Sequence, residues 1–189
     1  MPLPDRHGHW PVVSAAAAGP VTAAMLARRE AFVADGAWVR WLPLPALLLH
    51  QTEEWVWPGG FLPWFNREVM GSGEDEFPIT RRDGLIINTG MGWAVALAAG
   101  LGGESRPGLA SAQLAMLLGN AGLHLAEVAR NRTYNPGSLT AAALFLPLGI
   151  AGMRRLRREG RGREVAVGAA LGAASAVALM AVMRRRVRG

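Results

Sequence analysis

Cysteine is absent, and so is lysine: all 20 basic residues are arginine. Without cysteine there are no disulfides, thiolate metal sites or cysteine nucleophiles. Charge is scarce. Asp, Glu, Lys and Arg make up 18% of the 189 residues, and hydrophobic residues 51%. An ordinary soluble domain carries about 25% charge, so this balance argues against disorder and against a highly charged soluble bundle. The 24 glycines and 12 prolines lack collagen's period. The formal net charge is +6, the pI about 11.4 and the mean hydropathy +0.18. That hydropathy is modest for a membrane protein, so the placement of the apolar residues has to decide.

The charges are clustered, and long runs have none. Gly84–Gly103, Pro107–Leu123, Thr133–Met153 and Val165–Met183 are uncharged. Each has about the 20 residues a helix needs to cross a hydrocarbon core of about 30 Å. A soluble core helix normally keeps a charged face. A fifth run, Trp38–Trp57, is apolar from Pro43 to Leu49, then carries His50, Glu53 and Glu54, and has Trp38 and Trp41 at one end, Trp55 and Trp57 at the other. At about 1.5 Å per residue the outer pair is roughly 28 Å apart, the spacing of two interfacial aromatic belts. The expected fold is an all-α polytopic membrane bundle with about five spanning helices, near 38–57, 85–102, 108–130, 137–153 and 164–183. Residues 1–35, interrupted by Pro11 and Pro20, are expected to be an N-terminal arm, helical in part, ahead of a bundle over 36–189.

The arginines supply orientation. Arg154, Arg155, Arg157, Arg158, Arg161 and Arg163 fill one short loop, and Arg184, Arg185, Arg186 and Arg188 lie near the C-terminus. Because they sit at the ends of apolar runs and not on an amphipathic face, nucleic acid is not an expected partner. The positive-inside rule puts the Arg154–Arg163 loop in the cytoplasm and the net acidic segment Pro58–Asp83 outside. Five spans then place the C-terminal arginines outside, against the rule. Gly168 and Gly172 form a Gly-x-x-x-Gly step suited to close helix contact or to a homo-oligomer.

Ionisable groups within spans are costly and mark function by default. His50, Glu53 and Glu54 share one face of one helical turn. Asn120, His124, Glu127 and Asn131 form a polar stripe down a later helix. The first and third expected spans run the same way, so their His-x-x-Glu sets lie at matched depth, near Asn88 and Tyr134. Two imidazoles and two or three carboxylates suit a divalent Zn, Fe or Mn ion. The expected ligands are His50, Glu53, Glu54, His124 and Glu127, with Glu53 or Glu54 left as a catalytic base. Asn88, Asn120, Asn131 and Tyr134 are the expected supporting or substrate contacts. The leading expectation is a metal-dependent membrane enzyme acting on a lipid or other lipophilic molecule. A transporter or proton carrier using the Glu/His cluster, and a structural protein with a metal-free polar network, are the alternatives.

The string Leu-Leu-Leu-His50-Gln-Thr-Glu53-Glu54-Trp-Val-Trp-Pro-Gly-Gly-Phe resembles the signature of the HXXEE-motif family of small bacterial membrane proteins. The stretch Asn120-x-x-x-His124-x-x-Glu127, followed by Arg132-Thr-Tyr134-Asn135-Pro136-Gly137 and Thr140, resembles that family's second block. Phe61, Trp64, Phe65 and Asn66 fit the segment between. The resemblance covers roughly Leu44 to Gly152. It implies a multi-pass helical domain in a bacterial cell membrane and singles out the same site residues, and it implies no particular reaction.

Overall fold

The computed structural model describes residues 8–159 and 161–188, so the first seven residues of the expected arm lie outside the described residues. Those described form helices joined by short turns and one longer loop, with no strand among them. The main helices are α1 (Trp10–Ala27), α2 (Pro43–Trp55), α3 (Arg81–Ser105), α4 (Pro107–Asn131), α5 (Ser138–Arg158) and α6 (Gly162–Arg188). Single turns at Trp38–Trp41 and Phe61–Trp64 flank α2.

Among the described residues, five helices are long and apolar enough to cross a membrane: α1, α3, α4, α5 and α6. The fold is an all-α membrane bundle with apolar residues on its outside. Val13, Leu101, Leu139, Leu171 and Val177 are more than half exposed, as side chains facing lipid would be.

The set of spans differs from the sequence reading at its N-terminal end. Residues 10–27 are not an arm but a continuous helix. Pro11 sits in its first turn, where no backbone donor is needed, and the helix runs on through Pro20. Trp38–Trp57 is not one long span. It divides into the turn Trp38–Trp41 and the 13-residue α2. Pro43 starts α2 at a position that suits proline, and Gly59 and Gly60, both with positive φ, follow its end. Nine of the 13 residues of α2 are buried, because α1, α3, α4 and α5 pack around it. The helix that carries His50, Glu53 and Glu54 is therefore the centre of the bundle.

Two bundle ends follow. At one, Arg40 pairs with Glu104, and Arg161 donates to the carbonyl oxygens of Glu104 and Ser105. At the other lie the loop after α2, the turn 132–137 and the C-terminal end of α6. There Arg186 Nη1 pairs with Asp83 at 2.9 Å and donates to the Pro78 carbonyl. With α2 counted as a crossing, the chain passes through the bundle an even number of times. The C-terminal arginines then share an end with the acidic loop.

Gly168 and Gly172 are buried against α4. A Cβ at these positions would fall 2.1 Å from the Gly108 carbonyl oxygen and 2.3 Å from that of Ala112. The step expected to serve close contact or a homo-oligomer thus closes a helix pair within the chain.

Candidate metal centre

Three helices and one turn build the site. His50 and Glu54 stand one turn apart on α2, and His124 faces them from α4. All three are buried: 1%, 3% and 0% exposed. Glu54 Oε1 lies 3.2 Å from Nε2 of each histidine. The imidazole centroids are 5.1 Å apart. One ligand atom from each residue falls within 4.8 Å of the others, so the group could hold a metal ion.

The outer contacts set the tautomers. Thr140 donates its hydroxyl to Glu53 Oε2 at 2.5 Å. Its oxygen is then left to accept from His50 Nδ1, 2.7 Å away. Asn135 donates its amide to the His124 carbonyl oxygen, which can only accept. That fixes the amide's orientation and turns Oδ1 toward His124 Nδ1 at 2.7 Å. Both rings therefore carry their proton on Nδ1. Both Nε2 lone pairs converge on a carboxylate oxygen, and His50 Nε2 has no hydrogen-bond partner.

Glu53 faces elsewhere. Its Oε1 accepts from Tyr134 Oη and the Leu139 amide, and its Oε2 from the Thr140 amide and hydroxyl. It thus serves the open amides at the N-terminus of α5. Partial burial, the adjacent Glu53 charge and the hydrogen bond to it push the Tyr134 hydroxyl up to about 12. Tyr134 stays a donor at neutral pH.

The turn between α4 and α5 presses against the site. Gly137 has φ +102°, and a Cβ there would stand 2.7 Å from His124 Cε1, 2.8 Å from His50 Cε1 and 3.0 Å from Glu54 Cγ. Only glycine suits both the backbone and the space. Trp64 stacks on His124 at 5.1 Å, and Phe145 lies 4.2 Å from the His50 ring. After Thr140, α5 opens into a π-helical turn, Ala141–Phe145. Pro147 lies just beyond, where its ring would collide with the Ala143 carbonyl of a regular helix.

The remaining residues singled out from sequence lie around this group. Glu127 pairs with Arg130 at 2.6 Å and accepts from Asn131, so neither Glu127 nor Asn131 joins the three. Asn88 accepts from Gln51 and donates to the Gly84 carbonyl. Gln51 is fully buried. It also accepts from Ser14 of α1 and Trp93 of α3, tying both helices to α2.

Glu54 also lines a cavity of about 220 Å³ between α3, α4, α6 and the turn at Phe61. Its wall is mostly apolar, with Ile87, Met91, Leu123 and Leu179 among the lining residues, and Asn88 and Asn120 also face it. Thr140, Asn135, Gly137 and Gln51 were not picked out as site residues. The signal for the first three was their place in the stretch Arg132–Thr140 that resembles the family's second block.

The chain belongs to a family described as proteins of unknown function with an HXXEE motif, whose pattern matches residues 41–151. That span holds the whole His50–Glu54–His124 group and the turn that encloses it. No curated protein and no solved structure matches the chain.

Proposed function

We propose that this member of the HXXEE-motif family is a bacterial cell-membrane protein that holds a divalent Zn, Fe or Mn ion on His50, His124 and Glu54, and acts on a lipophilic substrate. The observation that carries this is three buried ligand atoms drawn to one point: Glu54 Oε1 lies 3.2 Å from Nε2 of both His50 and His124, and His50 Nε2 has no hydrogen-bond partner. A second proton on one ring would pair it with Glu54 but leave the other Nε2 facing an acceptor, and a second proton on both would leave two imidazolium groups sharing one carboxylate in a dry site, which is expensive. A cation removes the conflict. Two ligands of a tetrahedral ion, each at about 2.0–2.1 Å, stand about 3.3 Å apart, close to the 3.2 Å seen here. Thr140 and Asn135 hold the imidazoles in the ligating tautomer, as outer partners of metal-bound histidines do.

Two nitrogens and one carboxylate leave coordination positions open, the arrangement of catalytic rather than structural sites. When bound, such an ion supplies Lewis acidity and a water acidified toward neutrality. The protein's part is positional. Glu53 orients Thr140 and through it His50, Gly137 closes one side against water, and Glu54 borders both the ligand group and the cavity. The cavity is where a substrate would meet the centre.

Metal analysis of the detergent-purified protein tests the proposal. Near-stoichiometric Zn, Fe or Mn is expected in the wild type, falling at least tenfold in His50→Ala and His124→Ala. Metal-free wild-type protein that also fails to take up added Zn, Fe or Mn would overturn it.

A further inference from the structure

Two residues that line the cavity each carry a polar atom with no partner. Trp55 Nε1, a donor, and Asn120 Oδ1, an acceptor, are both buried and unbonded. A buried polar group without a partner is destabilising, and here the two orphans have opposite sense. No basic residue lines the cavity, so nothing there would neutralise a phosphate or carboxylate, and Glu54 would repel either. An ammonium could donate to Asn120 but has nothing to accept from Trp55. Its volume, about 220 Å³, is below the roughly 300–1,000 Å³ of pockets for drug-sized ligands. One chain fits; a two-chain phospholipid does not.

We infer that the cavity binds a single-chain lipid with an uncharged group that both donates and accepts hydrogen bonds, a hydroxyl or a secondary amide, held between Trp55 Nε1 and Asn120 Oδ1. This names the substrate class for the site proposed above and rests on that reading for its chemistry; binding itself needs only the cavity. Asn120 lies one helical turn before His124, so the polar group rests within a turn of the ligand cluster. The chain has a route in from lipid. A groove on the outer side of α4 and α6 shares Gly119, Ala176 and Met180 with the cavity. Gly119 and Ala176 are small and leave a thin division, and α6, with 17% of its apolar stretch buried, is the long apolar helix most open to lipid.

Photolabelling in nanodiscs tests this. The probe is a dodecanol carrying a diazirine, competed with unlabelled 1-dodecanol, N-dodecylacetamide, dodecyl methyl ether and dodecane. Adducts are expected on Leu123, Leu179 or Met180. The alcohol or the amide should displace the probe at least tenfold better than the ether or the alkane, and the stronger of the two identifies the group. Asn120→Leu should abolish that preference. Gly119→Leu is the second variant. A Cβ there meets nothing within 4 Å and leucine favours helix, so the variant should fold while its side chain blocks labelling. Equal competition by all four compounds, or an unchanged preference in Asn120→Leu with undiminished labelling in Gly119→Leu, would overturn the inference. Metal content of the same samples keeps the two readings apart: metal without the preference defeats this inference alone, and the preference without metal defeats only the metal centre.

Discussion

Glu53 and Glu54 are neighbours in sequence with separate duties, and substitution should separate them. Glu53→Gln weakens charge-assisted bonds to the start of α5. It should lower stability by about 1–3 kcal/mol while the protein still takes up metal, as thermal melting and metal analysis would show. Glu54→Gln should behave in the opposite way. It removes a proposed ligand, yet its amide can donate to both Nε2 atoms, so the metal-free variant should be more stable than metal-free wild type by about 1 kcal/mol. Gly137→Ala forces a methyl between the two imidazoles at a strained φ, and should cost about 2–4 kcal/mol with most metal affinity lost. The His-x-x-Glu-Glu spacing was enough to place His50 and Glu54 on one helical face, and depth matching pointed to His124. Spacing could not separate Glu53 from Glu54. Their difference depends on where the turn at Tyr134–Thr140 comes to rest, which is a matter of tertiary folding.

Among the elements, the uncharged runs made α3 to α6 legible, because few arrangements other than a membrane bundle tolerate so little charge. The N-terminal elements were harder to read. Prolines at 11 and 20 suggested interruption, although one falls where a helix needs no donor and the other is tolerated within α1. The paired tryptophans made residues 38–57 look like a span bordered by two interfaces. In the structure Trp41 packs against Gly100 and Trp55 against Gly84 and Trp10, so these two serve packing around a central helix, while Trp57 is exposed. The α4–α6 pair allows a direct test. Gly168→Leu places a side chain where the Gly108 carbonyl already sits, and should cost about 1–3 kcal/mol, read as a lower melting temperature in detergent. The proposed metal ligands, on α2 and the far half of α4, should keep their affinity.

At the scale of the whole molecule, the arginine pattern and the fold meet in one topological statement. With α2 passing through the bundle, the C-terminal arginines lie beside the acidic loop, as the Arg186–Asp83 pair requires. Counting only five crossings from sequence left their position at odds with the positive-inside rule. The fold puts them on that same side and supplies Asp83 as a local partner for one of them. The lack of native cysteine makes this simple to check in intact cells or sealed vesicles. Single replacements Glu74→Cys and Arg188→Cys should react with a membrane-impermeant maleimide from one side, and Arg158→Cys from the other. Labelling of Glu74→Cys and Arg188→Cys from opposite sides would contradict the arrangement. The central place of α2 also bears on biogenesis. A ribosome delivers its two acids and its imidazole some 85 residues before the threonine and the turn that satisfy them. The helix must wait, held by the insertion machinery or by α1 through Ser14, until the last third of the chain arrives to take it in.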